Sequence, residues 1–190
     1  MFFAYIFAGV LVFWLIAKHM NKQRNHEKAV EKVSARLKKI CGKPGEVLKN
    51  ATLNLPDGEM TFDAVLMDKR GIYLVRTYGW GIKIYGTPDG AMWRREDAKR
   101  KEEFENPLLN LKKGAEEIGK IMEENGVHNL KVMPMVVFAD NYQTPELYLG
   151  YGSFSTTYQE LKNWYKKQSG VKEVQYDYDK VSSIIKGLAK

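Results

Sequence analysis

The chemistry this chain could perform narrows quickly when residue types are read with their spacing. No G-x-x-x-x-G-K-[ST] phosphate loop is present, and Gly79-x-Gly81 and Gly150-x-Gly152 lack the third glycine of a dinucleotide fingerprint, so both read as turns. His19, His26 and His128 are far apart and Cys41 is the single cysteine, which excludes H-E-x-x-H or thiolate zinc and a disulfide framework. No G-x-S-x-G elbow exists for a serine hydrolase. One carboxylate stands out, Asp63 within Met60-Thr61-Phe62-Asp63-Ala64-Val65-Leu66-Met67. Burial of an unpaired charge is costly, so Asp63 is either an outward-facing residue at a strand edge or one member of a partnered set. As a Mg²⁺ ligand it would need at least one further oxygen donor, expected from the next strand, Gly71-Ile72-Tyr73-Leu74-Val75-Arg76-Thr77-Tyr78.

Those residues need elements to hold them. Val30, Val33, Leu37 and Ile40 recur at helical spacing, which predicts an amphipathic helix over 27–40 with a basic outer face. Strands are expected at 46–53, 60–68, 71–76 and 82–85, divided by Leu55-Pro56-Asp57-Gly58, by Lys69-Arg70-Gly71 and, at their end, by Gly86-Thr87-Pro88-Asp89-Gly90. Residues 94–105 mix both charge signs and read as a solvated connection or an exposed helix start. Pro107 opens a helix to about Glu124 through Leu108, Leu111, Ala115, Ile118 and Met122. Lys131–Ala139 suits a buried strand, with Pro134 arguing against a fully central place. A helix over 156–167, a short strand over 171–176 and a closing helix over 178–188 complete an α/β order.

These blocks resemble the nuclease-related (NERD) domain, a branch of the PD-(D/E)XK restriction-endonuclease-like superfamily, over about residues 27–140. The family pattern runs through a GE-led helix, a strand ending Q-I-D-H, then G-I-F-V-I-E-x-K-N-Y-x-G-x-I-x-G, a downstream W, and N-P-L-x-Q-N opening a helix. Here Thr61-Phe62-Asp63-Ala64 keeps the Asp, and GIYLVRTYGWGIKIYG from Gly71 to Gly86 aligns without a gap. Trp93 takes the tryptophan position, and Asn106-Pro107-Leu108-Leu109-Asn110-Leu111 matches the helix opening. The resemblance implies a restriction-endonuclease-like sandwich with a mixed central sheet flanked by helices.

In such a site an Asp and the Glu of E-x-K hold a divalent metal while the Lys assists the hydrolytic water. Arg76 replaces that Glu, Tyr78 the Lys, Asn110 the Gln and Ala64 the His. A guanidinium beside Asp63 should pair with it and repel Mg²⁺. The helix carboxylate falls at Glu27, which follows His26 where the family favours Gly, with Glu31 as a competitor. Lys83 on the following strand would be a relocated lysine, yet no Glu replaces the ligand lost at Arg76. The expected result is a domain without metal-dependent hydrolysis and without a cofactor, Mg²⁺ entering only if the ligands have been rearranged. The old cleft could still dock nucleic acid or a protein, with Arg76, Lys83, Arg94, Arg95, Lys99, Arg100 and Lys101 as cations and Tyr78, Trp80 and Trp93 as stacking groups. Glu96, Asp97, Glu102, Glu103 and Glu105 interleave with these cations, so an ordinary solvated face is the competing expectation. A membrane scaffold that binds no nucleic acid is the third.

Residues 1–17 carry no side chain charged at neutral pH, and FFAYIFAGVLVFWLIA from Phe2 to Ala17 is nearly all apolar. Sixteen helical residues span about 24 Å, slightly short of a bilayer core of about 30 Å, a mismatch that thinning and snorkelling absorb. A signal peptide would need a basic leader and a small-x-small cleavage site, and a soluble core helix would need a polar side; neither is seen. The net charge of +7 lies wholly in residues 18–49, with ten Lys or Arg against three Glu, since residues 50–190 carry twenty of each sign. Lys18, Lys22, Arg24 and Lys28 directly follow the apolar segment, which predicts a single-pass cell-membrane protein with its body in the cytoplasm and residues 18–39 near anionic lipid. The expected organisation is therefore an anchor at 1–17, a basic juxtamembrane amphipathic helix at 18–40 and the α/β domain at 41–190, whose first helix lies within 27–40.

Overall fold

The computed structural model describes residues 7, 9–17, 26–140, 143–167 and 176–190. The elements follow in the order α1 (His26–Cys41), β1 (Glu46–Leu55), β2 (Gly58–Asp68), β3 (Gly71–Tyr78), β4 (Lys83–Gly86), β5 (Met92–Glu96), β6 (Lys101–Glu105), α2 (Pro107–Glu124), β7 (Val132–Phe138), β8 (Glu146–Leu149), β9 (Ser155–Thr157), α3 (Leu161–Lys167) and α4 (Tyr178–Leu188). They build two sheets, β1-β2-β3-β7-β9 and β6-β5-β4-β8. The first is mixed: β1, β2 and β3 are antiparallel neighbours, whereas β7 runs parallel to both β3 and β9. This is an α/β fold with mixed sheets flanked by helices.

Burial on both faces explains why β2 and β3 read as continuous apolar runs. Val65, Met67, Ile72 and Leu74 face one cluster with Leu108, Leu111, Ile118 and Met122 of α2 and Val181 and Ile185 of α4. Ala64, Leu66, Tyr73 and Val75 face the other, with Ala29, Val33 and Leu37 of α1 and Leu161 and Tyr165 of α3. The second sheet packs Ile84 and Trp93 into the first cluster. Pro134 is tolerated because β9 joins β7 only from Val136 onward, leaving the proline opposite an open edge.

Three sequence expectations need correction. Residues 94–105 are neither a loose connection nor a helix start but the hairpin β5–β6, whose cross-strand partners Arg95 and Glu102 bond at 3.0 Å. Opposite charges set face to face across two strands look, in one dimension, like a solvated charge run. The helix expected from residue 156 begins at Leu161, because Thr156 and Thr157 extend the first sheet as β9 and the Thr157 hydroxyl accepts from the Glu160 N–H at 3.2 Å. The central sheet is also accompanied by a second one, to which the unforeseen β8 contributes. The strand expected over 171–176 falls mostly outside the described residues. Residues 9–17 are helical with their apolar side chains exposed. Among the described residues no helix is long and apolar enough to cross a membrane, and the expected anchor lies in part outside them.

Candidate functional site

The site forms where two strands part. The β2–β3 ladder pairs Asp68 with Gly71 and continues to Ala64 opposite Val75, where it stops. Beyond that point β2 stays with β1, Ala51 opposite Phe62, while β3 stays with β7, Thr77 opposite Val137. Asn50, opposite the fork, has a φ of 50°, a left-handed conformation that asparagine tolerates and that marks the bend of β1. Asp63 is the first residue past the divergence.

Its carboxylate fills the fork. Oδ2 accepts the Thr77 backbone N–H at 2.6 Å, standing in for the ladder partner that β2 no longer supplies. Oδ1 accepts from Arg76 Nη1 at 3.3 Å and lies 3.3 Å from His26 Nε2, at the start of α1. Arg76 Nη2 also donates to the Thr61 carbonyl at 2.8 Å, so the guanidinium laces β3 to β2 at two points. The Asp63 side chain is 6% exposed and that of Arg76 33%, which makes the carboxylate the buried partner of a half-open pair. A buried carboxylate is tolerated on these terms: each oxygen has a donor and its charge has a counterion.

The fork opens into a cleft of about 580 Å³ bordered by His26, Arg76, Tyr78, Trp80, Arg95 and Asn110. Thr77 also lines it, and its buried hydroxyl has no hydrogen-bond partner among the described residues. Tyr78 stacks on Phe138 at 5.4 Å and tilts against Phe104 at 4.9 Å, and burial pushes its hydroxyl up to about 12. It is a core ring, not a general base. Trp80 lies under the Arg95 guanidinium at 3.9 Å, with Arg100 at 4.9 Å. Asn106 closes the floor: its carbonyl oxygen caps α2 by accepting from the Leu108 N–H at 2.9 Å, while its amide donates to the Pro88 and Gly90 carbonyls at 3.1 and 2.7 Å.

The other sequence candidates sit elsewhere. Glu27 and Glu31 are exposed on α1 and do not border the cleft. Lys83 stands between Glu96 and Glu146 on neighbouring strands, and Arg94 covers the Tyr85 ring at 4.5 Å, 3.9 Å from Glu96. Lys99 and Arg100 lie at the β5–β6 turn, where Asp97 accepts the Lys99 N–H and pairs with Arg100 at 3.7 Å. Of the cations and rings expected to contact nucleic acid, Arg76, Arg95, Tyr78 and Trp80 border the cleft, Arg95 itself paired with Glu102, whereas Trp93 is buried in the core. Sequence reasoning assigned no role to His26 or to the Thr77 N–H. Their signals were weak, a histidine where a helix opens and a backbone group no motif encodes.

The donor set does not suit the divalent metal of a PD-(D/E)XK site. Asp63 is engaged at both oxygens, a cation occupies the second-ligand position, and among the described residues no three His, Cys, Asp or Glu are placed to hold a metal. In this α/β domain the two positions that the resemblance assigns to metal ligands, Asp63 and Arg76, form an ion pair. The chain belongs to the nuclease-related domain (NERD) family, whose model matches residues 22–139, more than half of its length. It is 30% identical over 112 residues to an uncharacterized protein of Bacillus anthracis, covering 58% of this chain and 52% of that one. The chain thus spans about half the length of this curated relative. No solved structure matches it.

Proposed function

We propose that this protein is a membrane-anchored, cytoplasmic member of the nuclease-related family that binds a phosphodiester backbone in its cleft without hydrolysing it. The observation that carries the reading is the engagement of Asp63 by Arg76 and the Thr77 N–H, which gives each carboxylate oxygen a donor and sets a fixed positive charge where a metal ion would have to approach. Arg76 and Asn110 border the cleft and offer donors to an anion at the same place. Residues 1–17 would tether the domain, the basic segment 18–39 would rest near anionic lipid, and α1 together with 41–190 would form the working body.

The test is made on the full chain in non-ionic detergent. A single-stranded DNA oligonucleotide should shift in a salt-dependent manner, weaken at least tenfold with Arg76→Ala, and stay uncut in Mg²⁺ or Mn²⁺. Metal-dependent cleavage that disappears in Asp63→Ala would overturn the reading in favour of rearranged ligands. A second reading, a protein-binding scaffold, is favoured by the Arg95–Glu102 and Arg100–Asp97 pairs, which spend the hairpin's cations internally. Absence of any shift at low salt would select it. Glycosylation of the Asn50-Ala51-Thr52 sequon in a compartment holding the transferase would reverse the proposed orientation.

A further inference from the structure

A second concavity, of about 760 Å³, lies between α1 and α3 and shares no bordering residue with the cleft. Lys32, Arg36 and Lys39 of α1, Lys162 and Lys166 of α3, and Arg70 of the β2–β3 turn surround it. Among the described residues no carboxylate borders it. Clustering six cations in so small a volume is unfavourable on its own, because like charges repel more strongly the less water separates them.

How several of these cations are held bears on what they do. Lys32 Nζ sits 4.2 Å and the Arg36 guanidinium 4.5 Å from the centre of the Tyr158 ring, and Arg70 sits 4.1 Å from that of Tyr165. Arg36 also donates to the Gln159 carbonyl at 3.3 Å and Arg70 to the Tyr165 carbonyl at 2.7 Å. The Tyr165 ring is fixed in turn by its hydroxyl, which donates to Asp68. Ring faces and carbonyls orient a cation without cancelling its charge, whereas the carboxylates paired with Arg95, Arg100, Lys112, Lys113 and Lys186 elsewhere do cancel it. Arg36 and Arg70 are pre-arranged in this way by rings and carbonyls.

We propose that this groove is a binding site for a compact, multiply charged phosphate group, either the headgroup of a phospholipid or a free phosphate compound. Arginine forks and lysine ammonium groups converging on one volume match phosphate oxygens, and concavity favours a small group over an extended duplex. The site is independent of the cleft and of its proposed use.

The test is thermal unfolding of the full chain in non-ionic detergent micelles, with inorganic pyrophosphate in one arm and short-chain phosphatidic acid mixed into the micelles in the other. Sodium chloride at matched ionic strength controls for screening. At a hundredfold excess over the dissociation constant, the melting temperature should rise by roughly 5 °C or more in at least one arm. A response to pyrophosphate in plain micelles identifies a free phosphate compound, and a response confined to phosphatidic acid identifies a headgroup. Lys39→Gln/Lys162→Gln, two exposed positions, should leave the unliganded melting temperature unchanged or raised and weaken binding at least tenfold, and Arg36→Gln should do the same. No shift in either arm overturns the proposal. So does a shift that survives the double variant, or binding of a single-stranded DNA oligonucleotide alone that the double variant abolishes.

Discussion

Removing the Asp63 carboxylate separates a structural clamp from a metal site by the sign of its effect on stability. In Asp63→Ala the Thr77 N–H, now bonded at 2.6 Å in a buried setting, is left without an acceptor. Orphaning a buried donor costs about 1–3 kcal/mol. The lost pair with Arg76 adds at most about 1 kcal/mol, since a guanidinium one-third exposed is well screened. The expected loss is therefore about 3 kcal/mol, or a fall in melting temperature of about 6–12 °C for a chain of this size. Asp63→Asn keeps an oxygen for Thr77 and should lose only about 1 kcal/mol. A double cycle with Arg76→Met should return a coupling of about 1 kcal/mol between the two side chains. A carboxylate kept for metal binding behaves the opposite way, because a charge held ready for a cation is strained without one and its removal is neutral or stabilising. Urea unfolding of the full chain in detergent reads the difference directly. An Asp63→Ala protein within about 0.5 kcal/mol of the parent, or above it, would refute the clamp.

Tyr78→Phe should be nearly silent, whereas Tyr78→Lys should cost about 3 kcal/mol because an ammonium stem replaces a ring packed on Phe104 and Phe138; melting curves check both. Arg76→Glu/Tyr78→Lys, which rewrites E-x-K into the chain, should lose stability and gain no Mg²⁺-dependent cleavage in an oligonucleotide assay. Asn106→Ala removes a helix cap and two amide bonds at once from a residue 1% exposed, for an expected loss of about 2–3 kcal/mol by urea unfolding. Burial raises the hydroxyls of Tyr73, Tyr78 and Tyr178 to about 12. An unfolded tyrosine ionises near 10, so the folded state holds these protons more tightly. The associated stability is complete below about pH 10 and should be lost as pH rises through about 12, with phenolate absorbance appearing together with unfolding.

The parts of this molecule that were legible in the sequence are those whose pattern is local. α2 announces itself by Pro107 and by apolar residues at three- and four-residue spacing, and β2 and β3 by their length and apolar continuity. The hairpin β5–β6 was hidden because its stabilising pairs lie across strands, so Arg94 to Glu105 looks like solvated charge until Arg95 meets Glu102. β9 was taken into a helix because Thr156 and Thr157 gain a strand partner only from β7, some twenty residues away. The Asp63–Arg76 juxtaposition follows from aligning two motifs on adjacent strands. The strand divergence, the use of the Thr77 N–H and the approach of His26 do not, since they depend on where a ladder stops. The basic groove is less accessible still: its cations come from α1, one turn and α3, and the rings that hold them come from around and within α3.

The lacing of β2 to β3 by Arg76 also bears on the paths open to the sequence over time. One of the two single-substitution routes between this fork and a metal-bearing one passes through Arg76→Glu with Tyr78 still in place. That intermediate sets two carboxylates side by side where one guanidinium now joins the strands, removes the donors to Thr61 and Asp63, and offers no lysine in return. It would be both less stable and inactive, a valley on either side of which stands a workable protein. The hairpin and the grooves can vary without touching this clamp, whereas any change at Arg76 takes both interstrand bonds with it.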